Sequence, residues 1–432
     1  MMYKKYISIV IIALLIAQTT LAQIRIAVVT DVHVMGPGLV VNDGKAWQTA
    51  LNSDRKMLDK SREIFDRLID LFALQKPDLL LVTGDLTKDG ERLSHQYVKA
   101  GLDKLRAVGI KAFVIPGNHD LGTINAVTYD GDKTSRAETV DINGFRAIYA
   151  DYGYGMKSSV DSLSLSYVCE PVTGLTLIGI DSHKGYLSEA TLDWVCQQAE
   201  EARRKGQRVI AMMHHPLIPR FNGANLYIST SVISNSKLMR NRLADAGVRI
   251  ILTGHLHTSD ISKDWNEDLS REIYDINTGS AVSYPCDYRI MTLNKERSKI
   301  SVTTRHINTL PSDAVFTKTA KERLYSGIYA KAYNIFKDSF SFSEKEKQQF
   351  ADIAARTFIV HAEGNEGDES HAEAVEQIFF DLNRIVSSGN MLVKMAAEFL
   401  KPIMDSVFKD ATNYEDPERE DCTDDLMLSI DM

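Results

Sequence analysis

Short apolar runs alternate with amphipathic segments between residues 24 and 293, and this alternation constrains the fold more than any other feature. The runs that read as buried strands are 24–29, 79–82, 112–115, 175–180, 209–213, 248–252, 273–276 and 290–293. Between them, apolar residues at helical spacing predict helices, most clearly at 91–108 and 188–205, with Ser188 as N-cap. Strands that alternate with helices in this way predict a layered α/β fold.

The pattern changes after residue 310. Apolar residues then recur at helical spacing, and Ser343 with Glu346 has the pattern of a capping box that opens a helix. Residues 413–425 are acidic and are predicted to be disordered. We therefore expect one large domain over 23–310 and a helical C-terminal extension with an acidic tail over 311–432. The extension is interpreted as a lid, a dimerisation element or a partner-docking surface, and the sequence leaves these three open.

The N-terminus has the pattern of an export signal. Lys4 and Lys5 precede a short apolar run at 7–17, and small residues at 20–22 suit cleavage. Residues 1–22 are therefore predicted to be a signal peptide, and the mature protein is expected to be secreted or periplasmic, without a transmembrane segment. An N-terminal membrane anchor remains the alternative, although the apolar run is shorter than the ~20 residues that a spanning helix needs.

Polar side chains follow five of the predicted strands, at the point where each strand ends. The motifs are Asp31-Val32-His33, Gly84-Asp85, Gly117-Asn118-His119-Asp120, His214-His215-Pro216 and Gly254-His255-Leu256-His257. Ligands bind in open α/β sheets at the carboxyl ends of the strands, so five loops would deliver these groups to one crevice. Each motif alone has an ordinary explanation as a turn or as a structural histidine. The ordered set of five indicates a functional site.

The residue types in these motifs suit a pair of metal ions. Carboxylate, imidazole and amide oxygen together favour iron, manganese or zinc over calcium. The ligands are too many for one tetrahedral ion, and a carboxylate shared by two divalent or trivalent ions uses them all. Two ions about 3.5–4 Å apart can hold the attacking and leaving oxygens of an in-line displacement, with a bridging hydroxide as nucleophile. The sequence therefore predicts a metal-dependent hydrolase.

The five motifs resemble those of the calcineurin-like metallophosphoesterases over roughly residues 24–308. The resemblance implies a four-layer α/β/β/α sandwich, in which two packed sheets are flanked by helices, followed here by the C-terminal helical extension. It implies that Asp85 bridges two metal ions. The other metal ligands that it implies are Asp31, His33 and His257 for one ion and Asn118, His214 and His255 for the other.

The resemblance also implies two catalytic residues that are not ligands. His119 would protonate the leaving oxygen or stabilise the transition state, and Asp120 would orient His119. His215 is an ambiguous neighbour, because the family pattern favours His214 as the ligand.

Two positions after the bridging aspartate differ from other branches of the superfamily. Protein phosphatases carry an arginine where this chain has Asp89, and purple acid phosphatases carry a tyrosine where it has Lys88. The stretch 84–90 is more similar to bacterial phosphodiesterase relatives of the cyclic-nucleotide and glycerophosphodiester types. The resemblance therefore implies a small phosphate ester as substrate, either a diester or a monoester.

The overall charge argues against one class of partner. The chain has a formal net charge of −8, so no general attraction to a phosphate backbone is expected and general nucleic-acid binding is not predicted. A function of a different class stays open, namely an exported binding module whose metal site is structural or vestigial. The intact set of ligands argues against this alternative, since vestigial sites usually lose several ligands.

Overall fold

The computed structural model describes residues 22–155, 159–220, 231–338, 341–408 and 424–432. The predicted signal peptide lies outside these ranges except for its last residue, and so does most of the acidic segment 413–425. Within the described ranges, no helix is both long enough and apolar enough to cross a membrane.

Strands and helices alternate through the first 300 residues, and helices dominate the rest. The strands are β1 Ile24–Val29, β2 Val40–Asn42, β3 Leu79–Val82, β4 Lys111–Val114, β5 Val127–Asp130, β6 Lys133–Arg136, β7 Ser159–Val160, β8 Tyr167–Val172, β9 Leu175–Ile180, β10 Arg208–Met213, β11 Ile250–Thr253, β12 Asp260–Trp265, β13 Glu272–Asn277, β14 Asp287–Leu293, β15 Lys299–His306 and β16 Met427–Asp431. The helices are α1 Lys45–Ser53, α2 Ser61–Gln75, α3 Arg92–Ala107, α4 Ile142–Ile148, α5 Glu189–Arg204, α6 Ser236–Ala246, α7 Phe316–Phe336, α8 Glu344–Glu363, α9 Glu369–Ser388 and α10 Met391–Val407.

Two large sheets form the centre of the molecule. The first has the strand order β16-β15-β14-β1-β3-β4, and the second has the order β12-β13-β11-β10-β9-β8-β7. A small sheet of β2, β5 and β6 lies apart from both. Strands β1, β3 and β4 run parallel to one another, as do β9, β10, β11 and β13. Because neighbouring parallel strands end at the same edge, the loops that follow β1, β3, β4, β10 and β11 are positioned to meet.

The period-two alternation of β1 explains how the layers pack. Ile26 and Val28 lie in the core between the two sheets, where Met212 of β10 also lies. Ala27 and Val29 point to the opposite face, which is covered by helices. Side chains that alternate between two apolar environments leave neither face of the strand in water, which is why β1 reads as an almost continuous apolar run.

Helices cover the outer face of each sheet. Ile64 of α2 and Leu102 of α3 belong to the core on the outer face of the first sheet. Leu192 of α5 and Leu243 of α6 belong to the corresponding core of the second sheet. The layers therefore run helix, sheet, sheet, helix. The predicted four-layer α/β/β/α sandwich with a C-terminal helical extension is confirmed.

The C-terminal segment does more than add helices. Phe316 of α7 is fully buried in the core of the first sheet, whereas α8, α9 and α10 form a core of their own. Strand β16 pairs antiparallel with β15 and buries Ile430 between the two large sheets. The expectation that only helices and an acidic tail follow residue 310 is wrong for Met427–Asp431. This short segment forms a strand because it pairs with the edge of β15. The domain boundary at 310 itself stays a prediction.

Two helix caps predicted from the sequence are present in the structure. Ser188 Oγ accepts a hydrogen bond from the Thr191 backbone N–H at 3.2 Å, so it is the N-cap of α5. The capping box of Ser343 and Glu346 opens α8. Asp425, at the end of the segment predicted to be disordered, is buried and ordered by several hydrogen bonds.

Candidate metal centre

Four of the predicted ligands form a tight, buried group. Ligand atoms of Asp31, His33, Asp85 and His257 all lie within 4.8 Å of one another. His33 Nε2 is 3.2 Å from His257 Nε2 and 3.6 Å from Asp85 Oδ2. His257 Nε2 is 3.1 Å from Asp31 Oδ1. Side chains from the loops after β1, β3 and β11 thus converge on one point.

The remaining predicted ligands lie on the other side of Asp85. His214 Nε2 is 3.3 Å from Asp85 Oδ2 and 3.1 Å from Asn118 Oδ1. The ring of His255 lies 5.2 Å, between centroids, from the ring of His214. The same oxygen of Asp85 therefore faces His33 on one side and His214 on the other, which is the position that a bridging carboxylate requires.

The chemistry of the first group fits a bound cation. Apart from the imidazole Nε2 of His257 at 3.1 Å, the buried Asp31 Oδ1 has no hydrogen-bond partner among the described residues, although Asp31 Oδ2 accepts hydrogen bonds from Thr30 Oγ1 and the His255 backbone N–H. Two imidazole nitrogens and two carboxylate oxygens point at one another. Burial of so many acceptor atoms without donors is costly unless a metal ion neutralises them. The residues present therefore fit the metal centre that the motifs imply.

The backbone at these ligands is strained. Asp31, His33, Asp85, His255 and His257 all have positive φ values, of 50°, 37°, 50°, 73° and 65° respectively. A non-glycine residue in the left-handed region costs of order 1–3 kcal/mol, and such residues concentrate at functional sites. The sharp turns aim successive side chains of one loop, such as His255 and His257, at separate positions around the centre.

Glycines in two motifs make room for the carboxylates. A Cβ atom on Gly254 would lie 2.6 Å from Asp31 Oδ2, and one on Gly117 would collide with Asp85 Oδ1. Any side chain at these positions would displace an aspartate from the centre. Gly254 therefore leaves room for Asp31 of another loop, and Gly117 leaves room for Asp85.

Hydrogen bonds behind the ligands orient two of the imidazole rings. His214 Nδ1 is 2.9 Å from the Thr83 carbonyl oxygen, so it carries a proton and leaves Nε2 as the coordinating nitrogen. His257 Nδ1 is 3.3 Å from Ser283 Oγ, so its Nε2 likewise faces the centre. Ser283 was not identified from the sequence, because nothing in the chain near it marks it as a partner of a residue 26 positions away.

The electrostatics keep two neighbouring ligands in their binding forms. Burial by itself would raise the pKa of Asp31, but His257 beside it holds that pKa well below its ordinary value. Burial lowers the pKa of His257 to about 3, against the opposing effect of Asp31. Asp31 is therefore ionised and His257 neutral, which are the forms in which carboxylate and imidazole bind metals.

His119 lies at the rim of the centre rather than inside it. Its ring contacts the ring of His33 edge-on, with 4.9 Å between centroids, and its backbone N–H donates to Asp85 Oδ1 at 2.8 Å. Burial by itself would lower the pKa of His119, but the negative charge of Asp85 and a hydrogen bond to Asp89 raise it above the ordinary value.

The prediction that Asp120 orients His119 is wrong. His119 Nδ1 lies 2.8 Å from Asp89 Oδ1 and 2.9 Å from the Lys88 carbonyl oxygen, so Asp89 supplies the carboxylate. Asp89 was considered only as the position of a missing arginine. Asp89 lies in the loop between β3 and α3, and nothing in the sequence pairs it with a histidine 30 residues later.

Asp120 joins the two loops that carry Asp85 and Asn118. Its carboxylate accepts hydrogen bonds from the backbone N–H groups of Gly117, Leu86 and Thr87, at 2.8, 3.1 and 2.9 Å. The side chain is fully buried, and Thr87 Oγ1 also donates to it at 2.8 Å. Asp120 therefore fixes the distance between ligand loops and does not touch the reacting groups.

His215 lies close to the centre but behind it. Its Nδ1 is 3.2 Å from Ser182 Oγ, and its ring packs against the ring of His255 with 4.3 Å between centroids. His214, by contrast, contacts Asp85 and Asn118 directly. The geometry favours His214 over His215 as the residue that faces a metal ion.

Two cationic side chains next to the centre were missed by the sequence analysis. Burial lowers the pKa of His33 and the positive charge of Lys56 adds to that effect, while the same charge opposes the rise in the pKa of His119. The charge of Arg55 adds to the lowering of the His257 pKa that burial causes. Lys56 Nζ is 3.6 Å from Asp54 Oδ2 and is buried. Cations whose charge acts on the predicted ligands are placed to attract an anionic substrate.

Comparisons with known proteins agree with this geometry. The profile described as calcineurin-like phosphoesterase matches residues 24–259, more than half of the chain. A probable cyclic nucleotide phosphodiesterase of Rhodococcus erythropolis is 30% identical over 43% of this chain and 52% of its own length. A probable glycerophosphodiester phosphodiesterase of Arcobacter nitrofigilis is 26% identical over 42% of this chain and 57% of its own length. The matched region thus spans about half the length of these two relatives.

A solved structure is also similar. The dimetal phosphatase from Danio rerio has a TM-score of 0.46 and 12% sequence identity. The match covers 66% of this chain and 96% of that chain.

Proposed function

This chain belongs to the calcineurin-like phosphoesterase family, and from that premise we propose that it is an exported hydrolase of phosphodiesters or phosphomonoesters with two metal ions. One observation carries the proposal: Asp85 Oδ2 faces His33 Nε2 at 3.6 Å on one side and His214 Nε2 at 3.3 Å on the other. A carboxylate in that position can be shared by two ions, and a single structural ion would need no second group of ligands.

The two ligand groups divide between the ions. One ion would be held by Asp31, His33 and His257. The second ion would be held by Asn118, His214 and His255, and both ions would share Asp85. Such ions, when bound, polarise the phosphate ester and lower the pKa of water. Iron, manganese or zinc suits these ligands.

The residues of the chain supply the rest of the chemistry. Both groups that His119 Nδ1 contacts are acceptors, so Nδ1 carries a proton and Nε2 is the nitrogen that can give a proton to the leaving oxygen. Asp89 holds the ring in this orientation. The cations Arg55 and Lys56 attract the substrate anion to the centre.

The names of the relatives favour a diester as substrate. The two proteins described above are named as phosphodiesterases, one for cyclic nucleotides and one for glycerophosphodiesters. In this chain Lys88 and Asp89 replace the tyrosine and arginine of two other branches, and Asp89 is engaged with His119 instead. We therefore expect diesters to be turned over faster than monoesters.

The test combines metal analysis with a substrate panel. The purified protein should contain about two metal ions per chain and should turn over chromogenic phosphodiesters, phosphomonoesters or both. Asp85→Asn should lower turnover more than about 100-fold, because even partners behind metal ligands are worth about 10–100-fold. Asp141→Asn is the matched control, since Asp141 is an exposed N-cap of α4 outside the predicted ligand set and asparagine caps equally well.

Two results would contradict the proposal. A protein that binds metal tightly but turns over no ester in a broad panel would be the binding module considered above. Activity that survives Asp85→Asn would place the chemistry elsewhere.

Export is proposed from residues 1–22, whose charges and apolar run have the pattern of a signal peptide. N-terminal sequencing of protein recovered from the native host should begin at Gln23. A chain that keeps these residues and sediments with membranes would instead support an N-terminal anchor.

A further inference from the structure

A cavity of about 330 Å³ lies next to the metal centre. Leu256, which separates His255 from His257, lines the cavity, and so does Thr258 directly after His257. The opposite wall is formed by α8 and α10 of the C-terminal extension. The loop that carries two predicted ligands therefore borders both the metal centre and this cavity.

The helical wall of the cavity is mostly apolar. Its apolar side chains are Phe350, Ile353 and Phe358 of α8 and Leu400, Ile403 and Met404 of α10, and Thr357 and His361 of α8 are its polar members. Thr357 Oγ1 donates to the Ile353 carbonyl and His361 Nδ1 contacts Glu366, so the wall offers few hydrogen bonds to the hydroxyls of a sugar or to the edge of a base. It stabilises apolar groups by removing their surface from water.

Cationic groups lie at the end of the cavity that faces the ligand loop. Arg220 is 5% exposed, and its Nη1 has no hydrogen-bond partner among the described residues. Its Nη2 donates to the Thr258 carbonyl, and its Nε is 3.6 Å from Asp260 Oδ2. Arg55 lies 5.3 Å from the centre of the Phe358 ring, at the boundary between the polar and apolar walls. A buried donor without a partner indicates a place for an anionic or polar ligand group.

We propose that this cavity binds the apolar chain of an amphiphilic phosphate ester whose phosphate lies at the metal centre. The inference rests on the proposed function and names the substrate class for the same site. The volume equals roughly eleven water molecules at about 30 Å³ each, which suits an alkyl or acyl chain of moderate length. Cations beside the ligand loop and an apolar far wall match the two ends of such a molecule.

The surface of α10 extends the apolar wall to solvent. Leu392, Met395 and Phe399 are 53%, 59% and 62% exposed, and they follow one another at spacings of three and four residues. Phe399 lies one helical turn before Ile403, which lines the cavity. A chain too long for the cavity therefore has an apolar path along the same helix.

The experiment measures binding of alkylphosphonates, from methyl to decyl, to the full-length protein by calorimetry. It is done with metal-loaded and with chelator-treated protein, so that binding is read without turnover. Affinity should rise by up to about fourfold for each added methylene until the cavity is full, at about 0.8 kcal/mol per buried methylene. Ala354→Trp, which fills the cavity from α8, should abolish this rise. Ala372→Trp, on the exposed face of α9, is the matched control and should preserve it.

A second variant tests polarity instead of volume. Ile403→Asn replaces a half-buried side chain of the wall and should reduce the gain per methylene without filling the cavity. Thermal unfolding of each variant identifies any that fails to fold, in which case the other carries the test.

The outcomes separate this inference from the proposed function. Turnover of short diesters, with affinity that does not depend on chain length, would overturn the cavity proposal and leave the hydrolase intact. Equal loss of the chain-length dependence in Ala354→Trp and Ala372→Trp would also overturn it. Chain-length-dependent binding in a protein that hydrolyses nothing would support the cavity as an amphiphile site and reject the proposed activity.

Discussion

At the scale of single residues, the orientation of His119 is the feature with the clearest chemical consequence. Its Nδ1 has two acceptors, a carboxylate of Asp89 at 2.8 Å and the Lys88 carbonyl at 2.9 Å. One carboxylate thus fixes both the rotation and the tautomer of the ring. Asp89 is a positioning residue, since its effect on substrate passes through His119.

Asp89→Asn should lower kcat about 10–100-fold, with KM and metal content little changed. The loss should be greater for an ester with an alkyl leaving group than for one with p-nitrophenolate, because a poor leaving group depends more on the proton that His119 supplies. Steady-state kinetics with the two esters and metal analysis of the variant measure this.

Asp120→Asn is the control variant for the prediction about Asp89→Asn. Asp120 holds Gly117, Leu86 and Thr87 together and does not contact the His119 ring. This variant should lower the melting temperature and slow both esters by the same factor. If Asp120→Asn, and not Asp89→Asn, affected the poor leaving group selectively, the assignment of Asp89 would be wrong.

At the scale of secondary-structure elements, Asp425 connects three parts of the fold. Its Oδ1 accepts a hydrogen bond from the Ile261 backbone N–H of β12 at 2.8 Å. Its Oδ2 accepts one from the Asn365 backbone N–H, in the loop between α8 and α9, at 2.9 Å. Its carbonyl oxygen accepts one from Arg289 of β14 at 2.8 Å. Asp425, two residues before β16, thus ties the second sheet and the C-terminal helices to the first sheet.

Asp425→Ala should reduce the free energy of unfolding by roughly 2–6 kcal/mol, because one buried and one part-buried backbone donor lose their acceptors at about 1–3 kcal/mol each. Urea unfolding followed by circular dichroism measures this. Asp431→Ala, on an exposed position of β16, should change the same quantity by less than about 0.5 kcal/mol. Similar effects of the two variants would mean that Asp425 does not join these elements.

At the scale of the whole molecule, the C-terminal segment is part of the catalytic fold. Phe316 of α7 is fully buried in the core of the first sheet, and β16 covers the edge of β15. A chain without this segment would expose that core and leave an unpaired edge, which favours aggregation.

A chain of residues 23–310 should therefore fail to unfold cooperatively and should be poorly soluble, whereas the chain 23–432 should be soluble and cooperative. Near-ultraviolet circular dichroism and thermal unfolding of both chains provide the comparison. A truncated protein with a sharp transition and full metal content would show that the extension is accessory.

The sequence by itself determined the central strands and the polar motifs that follow them. Runs such as 24–29 and 79–82 are buried on both faces, so their apolar composition marks them whatever surrounds them. The motifs follow those strands directly, so strand order and parallel pairing place Asp31 and Asp85 at one edge. The residues that specify these strands and motifs are adjacent in the chain, so sequence patterns reveal them.

Only the tertiary structure decided what depends on residues far apart. The pairing of Asp89 with His119, the formation of β16 and the cavity between Leu256 and α10 all join segments with no shared pattern. A five-residue run such as Met427–Asp431 has too little intrinsic preference to form a strand, and the hydrogen bonds offered by the edge of β15 make it one. Local preference specifies elements, but the contacts that orient His119 and shape the cavity arise only when packed layers bring those elements together.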